Sequence, residues 1–205
     1  MTTVGELTGR RPDRWREATS SPFLDGARSG DLPAAAFDRW LEQDRLFVEA
    51  GARAWSRLLI AAPADDLPLL ADGIAASTAE MVWFGELGVE RGLAIPAEPL
   101  PAAAAYHADL LRLAGEPYPV ALAAMWAVEA AYLQAWRSAL PGAPAYRPFV
   151  EHWTDAAFAT FVDRLQAAAD GALGGASEAE VEAAADAVTV IAEREAAFWA
   201  MIWTG

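Results

Sequence analysis

Four acidic side chains in this sequence lie among apolar and aromatic neighbours, where a carboxylate is costly unless it is paired or protonated. When two carboxyl groups share an apolar pocket, their pKa values can be pushed apart, so that one donates a proton while the other stays ionised. Such a pair can act as general acid and general base. The four residues are Asp44, Glu80, Glu129 and Glu195.

The segment AMWAVEAAYLQAW, residues 124–136, shows the pattern most clearly, because every residue in it except Glu129 and Gln134 is apolar or aromatic. Helical side chains three and four positions apart share a face. Each of the four acids has apolar or aromatic neighbours on its own helical face. Glu129 has Met125, Trp126, Tyr132 and Leu133, and Asp44 has Phe37, Trp40, Phe47 and Val48. Glu195 has Ile191, Phe198 and Trp199, and Glu80 has Trp83, Phe84 and Leu87. A lone acid at the edge of an apolar stripe is usually solvated. Several such acids on separate helices favour a binding or catalytic site, since helical bundles build such sites from side chains on facing helices.

Aromatic residues are abundant, with nine Trp, eight Phe and four Tyr, and most of them are expected to fill the core. A group of them beside buried acids would suit a flat ring, because aromatic walls stack on it and carboxylates bind its N–H or amino groups. The residues alone therefore predict a pocket for a small polar heteroaromatic compound, with catalysis left open. His107 and His152 are more typical of surface or hydrogen-bonded residues than of ligands.

The residue types that are missing exclude several kinds of chemistry. The chain contains no Cys, which excludes a thiol nucleophile, a disulfide framework, a thiolate metal site and an iron–sulfur cluster. All 15 basic residues are Arg, so a Schiff-base lysine and the lysine of a phosphate-binding loop are excluded. Two His make a multi-histidine metal site improbable, while a carboxylate-rich one stays open.

Charge and hydropathy patterning argue against nucleic-acid and membrane partners. The net charge of −14 disfavours nucleic acid and anionic membrane surfaces. No uncharged apolar run approaches the roughly 18 residues that a membrane span needs. The N-terminal residues 1–18 lack the apolar core of a signal peptide, so we expect a cytoplasmic protein.

The elements that must position the four acids are all predicted to be helices, since apolar residues recur at three- and four-residue spacing and Pro and Gly interrupt them. The 205 residues, 55% of them hydrophobic, suffice for one domain with a sizeable core. We expect a single-domain all-α bundle over residues 1–205. Its predicted helices are 33–62, 65–92, 102–114, one ending near 140, 146–170, and a last one capped by Ser177 and Glu180. The predicted loops and turns include 95–101, 141–144 and 171–177.

The order of motifs resembles that of the TenA (thiaminase II) family over nearly the whole chain. The opening motif combines Pro-Phe, a Gly-Asp-Leu-Pro turn and an aromatic helix with Gln-Asp. The matching segments are SSPFLDGARSGDLPAAAFDRWLEQDRLFVEAGARAW at 20–55, Tyr106, YRPFVEHWTDAAFATFVDRL at 146–165 and EREAAFWAMIW at 193–203. The resemblance implies a heme-oxygenase-like helical bundle. It also implies a homo-oligomer, a dimer or tetramer, that binds pyrimidines related to the thiamine precursor.

The resemblance also assigns roles to residues. One branch of the family uses a catalytic Cys, and a second branch carries a Glu nearby, in a stretch similar to LWAxExxY. MWAVEAAY at 125–132 is similar to that stretch, so Glu129 resembles the catalytic Glu of the Cys-less branch. By the same resemblance Glu195 would be the second acid or base, and Asp44 would hold the pyrimidine ring or its amino group.

The remaining predicted substrate-binding residues are Phe47, Glu80, Tyr106, Trp126, Trp153 and Phe198. Of these, Phe47, Tyr106, Trp153 and Phe198 line the pocket by resemblance. The chain departs from the Cys-type members at two places, because Phe47 and Trp153 each stand where those members have a Tyr. Both departures remove a hydroxyl group, so the resemblance leaves the identity of the substrate open.

Three functions compete on these grounds. The leading one is hydrolysis of an aminomethyl- or formylaminomethyl-pyrimidine in thiamine salvage, which needs an acid for the leaving nitrogen, a base for water, and no cofactor or metal. Thiamine cleavage itself fits less well without the Cys. The second is a non-catalytic or repurposed heteroaromatic-binding protein on the same scaffold. The third, a carboxylate-bridged di-metal oxidase, is disfavoured by the two His.

Overall fold

The computed structural model of the protein describes residues 2–94 and 98–204, and these residues form helices joined by short loops. Within this part of the chain there are ten α-helices and no strand, as the all-α prediction requires. The helices are α1 Val4–Gly9, α2 Pro12–Ala18, α3 Pro22–Ser29, α4 Ala34–Leu59, α5 Leu67–Glu90, α6 Pro101–Leu113, α7 Tyr118–Ser138, α8 Arg147–His152, α9 Ala156–Gly174 and α10 Glu178–Thr204. A short 3-10 turn, Ala64–Asp66, precedes α5. Residues 95–97 of the predicted 95–101 loop lie outside the described residues.

Helix α7 is the centre of the bundle. It packs against α9 and α10 most extensively and also contacts α3, α4 and α6. Its residues from Val120 to Val128 are all buried, as expected of a helix that is apolar on every side. Pro119 in its first turn suits a helix start, since the missing N–H would have no intrahelical acceptor there. This central position carries Glu129 into the interior of the bundle.

Helices α4 and α5 pack closely against each other, and α6 and α10 form further sides of the bundle around α7. The core between them is rich in indole rings, and Trp40, Trp55, Trp136 and Trp199 are each almost completely buried. Gly73 on α5 allows a close approach, because a Cβ there would lie 3.0 Å from the Trp55 ring. The aromatic residues of α4 thus hold that helix against its neighbours and fix the direction in which Asp44 points.

The predicted helices at 33–62, 65–92, 102–114 and up to about 140 correspond to α4 to α7, with ends shifted by one to three residues. The prediction of one helix over 146–170 is wrong. Two helices replace it, because the Asp155 side chain accepts a hydrogen bond from the Phe158 N–H at 2.6 Å and starts α9 anew. The break leaves Trp153 between α8 and α9.

The predicted turn at 171–177 is shorter in the structure, since α9 continues to Gly174. The predicted capping box of the last helix is confirmed. The Ser177 N–H donates to Glu180 Oε2 at 2.8 Å, and the Glu180 N–H donates to Ser177 Oγ at 3.3 Å.

Three short helices, α1 to α3, precede the first predicted helix. Thr3 and Glu6 form a capping box for α1, and the Ser21 hydroxyl caps α3. Helix α2 packs on α10, and its Trp15 donates a hydrogen bond to Gln134 Oε1 at 2.9 Å. Gln134 is one of the two polar residues in 124–136, and this hydrogen bond to Trp15 in the N-terminal helix α2 explains its presence there. Among residues 2–94 and 98–204, no helix is both long enough and apolar enough to cross a bilayer.

Candidate active site

The four acids predicted from the sequence meet around one interior space. A cavity of about 40 Å³ is lined by Asp44 from α4, Glu80 from α5 and Glu129 from α7. A smaller space of about 10 Å³ is lined by Asp44 as well and adds Glu195 from α10. Because the two spaces share Asp44, Phe47 and Tyr132, we treat them together and name them the acid cavity.

Asp44 occupies the junction of the two spaces and is 3% exposed. The Tyr132 hydroxyl donates a hydrogen bond to Asp44 Oδ2 at 2.6 Å and itself accepts one from Trp40 Nε1 at 3.1 Å. Burial raises the pKa of Asp44 from 3.8 to about 7, although the Tyr132 hydrogen bond favours the ionised form. Asp44 is therefore held in a fixed orientation by a partner on a facing helix.

Glu129 is partly buried within the bundle and presents its carboxyl to the acid cavity. Burial, and then the charge of Asp44, raise the pKa of Glu129 from 4.5 to about 7. Within the described residues no side chain or backbone group donates a hydrogen bond to this carboxyl. It is thus open to a ligand or a water molecule, and it changes protonation near neutral pH.

Glu195 is 2% exposed and is held by Tyr106, whose hydroxyl donates to Glu195 Oε1 at 2.6 Å. Burial raises the pKa of Glu195 to about 8, the Tyr106 hydrogen bond opposes this shift, and the charges of Asp44 and Glu129 add to it. Glu195 Oε2 is buried and has no hydrogen-bond partner in the described part of the chain. A buried oxygen without a partner is unfavourable, which favours a neutral carboxyl or a bound ligand.

Glu80 has the highest pKa of the four acids. Burial raises it from 4.5 to about 9, and the charges of Glu129 and Asp44 add to the shift. Glu80 and Glu195 are therefore mostly protonated at neutral pH, while Asp44 and Glu129 are close to half ionised. The arrangement offers both proton donors and proton acceptors at one pH, as general acid–base chemistry requires.

Aromatic rings wall this space. The Phe47 ring lies 4.7 Å from the Tyr106 ring and 6.2 Å from the Phe198 ring, and all three line the smaller space. Trp153 lines the larger space and meets Tyr132 edge-on, with 4.9 Å between ring centroids. The Trp153 indole N–H is buried and has no acceptor among the described residues. The residues predicted to wall the pocket thus lie around the acid cavity, and their part in substrate binding stays a prediction.

Trp126 is the predicted substrate-binding residue that does not reach the acid cavity. Its ring stacks on Trp15 of α2, with 5.9 Å between centroids and 4° between planes, and it lines neither space. Met125, its neighbour in sequence, lines the cavity instead. Adjacent helical residues point about 100° apart, so the two side chains face different parts of the bundle.

Tyr132 is the site residue that the sequence analysis did not select. It lines both spaces and holds Asp44, and it is three positions after Glu129 on the same helical face. A Tyr at this spacing from a buried acid is the sequence signal that could have identified Tyr132 as a site residue. Ser77 also lines the larger space, but its hydroxyl donates to Gly73 O at 3.0 Å within α5.

The two His lie apart from this constellation. His107 packs beside Phe47, with 5.7 Å between ring centroids, and His152 stacks on Trp83 at 4.3 Å. Burial lowers the pKa of each. Across residues 2–94 and 98–204, no group of three or more His, Asp and Glu side chains is arranged to hold a metal ion.

Comparison with known proteins agrees with this architecture. The family model described as TENA/THI-4/PQQC matches residues 12–205. A probable bifunctional TENA-E protein from Glycine max is 28% identical over 196 residues, which cover 90% of this chain and 86% of that protein. The solved structure of a TenA homologue from Pyrococcus furiosus superposes with a TM-score of 0.92 at 25% identity, covering 97% of this chain and 98% of that one.

A protein from Sulfolobus solfataricus whose solved structure bears the name "putative tena-like thiaminase" shares the fold with a TM-score of 0.81 at 18% identity. The match covers 98% of this chain and 96% of that one. The fold is thus the heme-oxygenase-like helical bundle that the sequence predicted. Since the family model covers almost the entire sequence, the chain belongs to the TENA/THI-4/PQQC family.

Proposed function

We propose that the acid cavity hydrolyses an aminomethyl- or formylaminomethyl-pyrimidine in thiamine salvage, releasing the amine and a hydroxymethylpyrimidine. Membership of the TENA/THI-4/PQQC family supports this reaction class. So do the name of the Glycine max relative and the thiaminase description of the Sulfolobus solfataricus structure. The lack of Cys favours the glutamate-type branch of the family over thiamine cleavage by a thiol.

The observation that carries the proposal is the meeting of four carboxyl groups with separated pKa values inside one aromatic cavity. A structural role would be served better by apolar side chains, because buried acids lower the free energy of unfolding. Retaining four acids where they destabilise the fold is typical of a site maintained for function.

Three of the four acids take roles that fit their surroundings. Asp44, fixed by Tyr132, binds the ring or its amino group, and the aromatic walls stack on the ring faces. Glu195, with a pKa of about 8, is protonated at neutral pH and can donate a proton to the leaving nitrogen. Glu129, with a pKa of about 7, has an ionised fraction that can accept a proton from water.

The reaction balances with these groups alone. The bond between the exocyclic methylene carbon and nitrogen breaks as the nitrogen takes the proton of Glu195. The oxygen of a water molecule bonds to the methylene carbon, and Glu129 takes the proton which that water loses. The products are a hydroxymethylpyrimidine together with ammonia from the aminomethyl compound or formamide from the formylaminomethyl compound. We further propose that the protein acts in the cytoplasm as a homo-oligomer, a dimer or tetramer.

One observation favours a second function, that of a non-catalytic or repurposed binder of heteroaromatic compounds. Phe47 and Trp153 line the cavity where Cys-type members of the family have Tyr, so two hydroxyl groups are lost. A binder would keep the aromatic walls and the ring-binding Asp44 but would not need an acid and a base poised near neutral pH.

Turnover of an aminopyrimidine that carries an aminomethyl group separates the two functions. We expect the purified protein to form the hydroxymethyl product, detected by chromatography and mass spectrometry, and Glu129→Gln to slow it by about 10²–10⁴-fold. Glu86→Gln is the matched control, since Glu86 is an exposed acid of α5 that lines neither space. Saturable binding without product in the unmodified protein would establish the binder instead.

A further inference from the structure

A surface groove adjoins the acid cavity. It has a volume of about 280 Å³ and runs between α5 and the α8–α9 segment. Its walls include Asp72, His152, Asp155 and Arg164, all of which are exposed to solvent. Trp153 and Glu80 line the groove and the acid cavity alike, so they form the partition between interior and solvent.

Of the two partition residues, Glu80 is the one that can carry a proton. An indole N–H does not exchange protons usefully near neutral pH, whereas a carboxyl group does. Among the four acids, Glu80 alone lines the groove. Asp44 and Glu195 are 3% and 2% exposed, and Glu129 faces the cavity on α7.

The proposed hydrolysis creates a need for such a carrier. After one turnover Glu129 holds the proton taken from water, and Glu195 has lost the proton given to the leaving nitrogen. The starting state is the reverse, so one proton must leave Glu129 and one must reach Glu195 before the next turnover. Glu195 is 2% exposed and Glu129 is only partly exposed, so a titratable group that reaches the groove would speed this exchange.

We propose that Glu80 relays protons between the acid cavity and the solvent in the groove, and so resets Glu129 and Glu195 after each turnover. The relay rests on the proposed function, because it serves hydrolysis at those two residues. Glu80 would exchange protons inward with the cavity acids and outward with groove water. In this account Glu80 carries protons in place of the substrate-binding role predicted for it, and catalysis stays with Glu129 and Glu195, the two acids that touch the substrate.

The charges around Glu80 agree with this role. Burial raises the pKa of Glu80 most, and the charges of Glu129 and Asp44 on its inner side add to the shift. On its outer side Asp72 is paired with Arg164 at 2.8 Å, Asp155 caps α9, and His152 stacks on Trp83. The outer groups are therefore engaged elsewhere, and Glu80 stays mostly protonated at neutral pH, ready to donate.

The test is Glu80→Gln in the full-length protein, followed by rapid mixing with excess aminomethylpyrimidine. We expect one product molecule per chain to form at the unmodified single-turnover rate, because the resting protein already has the right protonation state. Later turnovers should slow by about tenfold or more, and KM should fall in the same proportion, because the slowed step comes after the chemistry. Imidazole, a small proton carrier, should accelerate the slow phase, and sodium chloride at equal ionic strength should not.

Glu86→Gln on the same helix should give unmodified kinetics in both phases. The relay would be overturned if Glu80→Gln slowed the first turnover as much as later ones, since Glu80 would then act in chemistry or binding. It would also be overturned if the steady rate were unchanged, or if imidazole had no effect on the slow phase. An unmodified protein that forms no product would overturn the proposed hydrolysis, and the relay with it.

Discussion

Replacing Glu129 by Gln should increase the stability of the protein, and the increase should depend on pH. The amide has nearly the same size as the carboxyl group and can occupy the same place, but it cannot ionise. The pKa of Glu129 in the fold is about 7, against an ordinary value of 4.5, chiefly because the group is buried. The unmodified protein therefore loses stability when this carboxyl is forced to ionise, and the variant does not.

The size and sign of the effect follow from that pKa. Each pKa unit corresponds to about 1.4 kcal/mol, so holding Glu129 ionised in the fold costs about 3 kcal/mol. Because the folded-state pKa is raised, the stability that comes from proton binding is complete below 4.5 and is lost as pH rises through about 7. The variant should thus gain little near pH 4.5 and about 3 kcal/mol near pH 8.5. In a chain of this length that gain corresponds to about 6–12 °C in Tm.

Urea unfolding followed by circular dichroism and tryptophan fluorescence measures this difference at a series of pH values. Glu86→Gln, at an exposed position of α5, should change stability by less than about 0.5 kcal/mol at every pH. A gain for Glu129→Gln that did not vary with pH would refute the reasoning, because the pKa of Glu129 would then be the same in the folded and unfolded states. A loss of stability at high pH would refute it as well.

Three further outcomes are expected. Asp44→Asn should weaken aminopyrimidine binding by about 10- to 100-fold in calorimetry, with a smaller effect on kcat, because hydrogen bonds to charged groups contribute about 1.5–3 kcal/mol; an unchanged KM with a collapsed kcat would assign Asp44 to catalysis. The kcat of the unmodified protein should rise with pH through about 7 as Glu129 ionises and fall through about 8 as Glu195 loses its proton; a flat profile from pH 6 to 9 would contradict those roles. Tyr132→Phe removes the hydrogen bond that favours ionised Asp44, so the pKa of Asp44 should rise and binding should weaken most near neutral pH; nuclear magnetic resonance titration of the carboxyl would detect this.

Helix periodicity was sufficient to identify the acids of the site. Asp44, Glu80, Glu129 and Glu195 each lie on an apolar face, and packing such faces together in a bundle brings them into one space. Periodicity does not resolve neighbours on one helix, because the apolar face is more than 100° wide. Trp126 was selected for that reason, although it packs against Trp15.

Features that depend on a single local contact were less predictable. The carboxylate cap of Asp155 divides 146–170 into two helices, and that break places Trp153 where it can line the cavity. Tyr132 owes its importance to a hydrogen bond across to α4, which spacing along α7 does not reveal. The single-domain organisation over residues 1–205 stays a prediction.

Hydrolysis of an aminomethylpyrimidine in ¹⁸O-labelled water tests the central claim most directly. The account predicts that the purified protein releases the amine and forms a hydroxymethylpyrimidine that carries ¹⁸O, as mass spectrometry would show. It predicts that Glu129→Gln folds stably but forms this product about 10²–10⁴-fold more slowly. Near-native turnover in Glu129→Gln, or the absence of a labelled product with the unmodified protein, would contradict it.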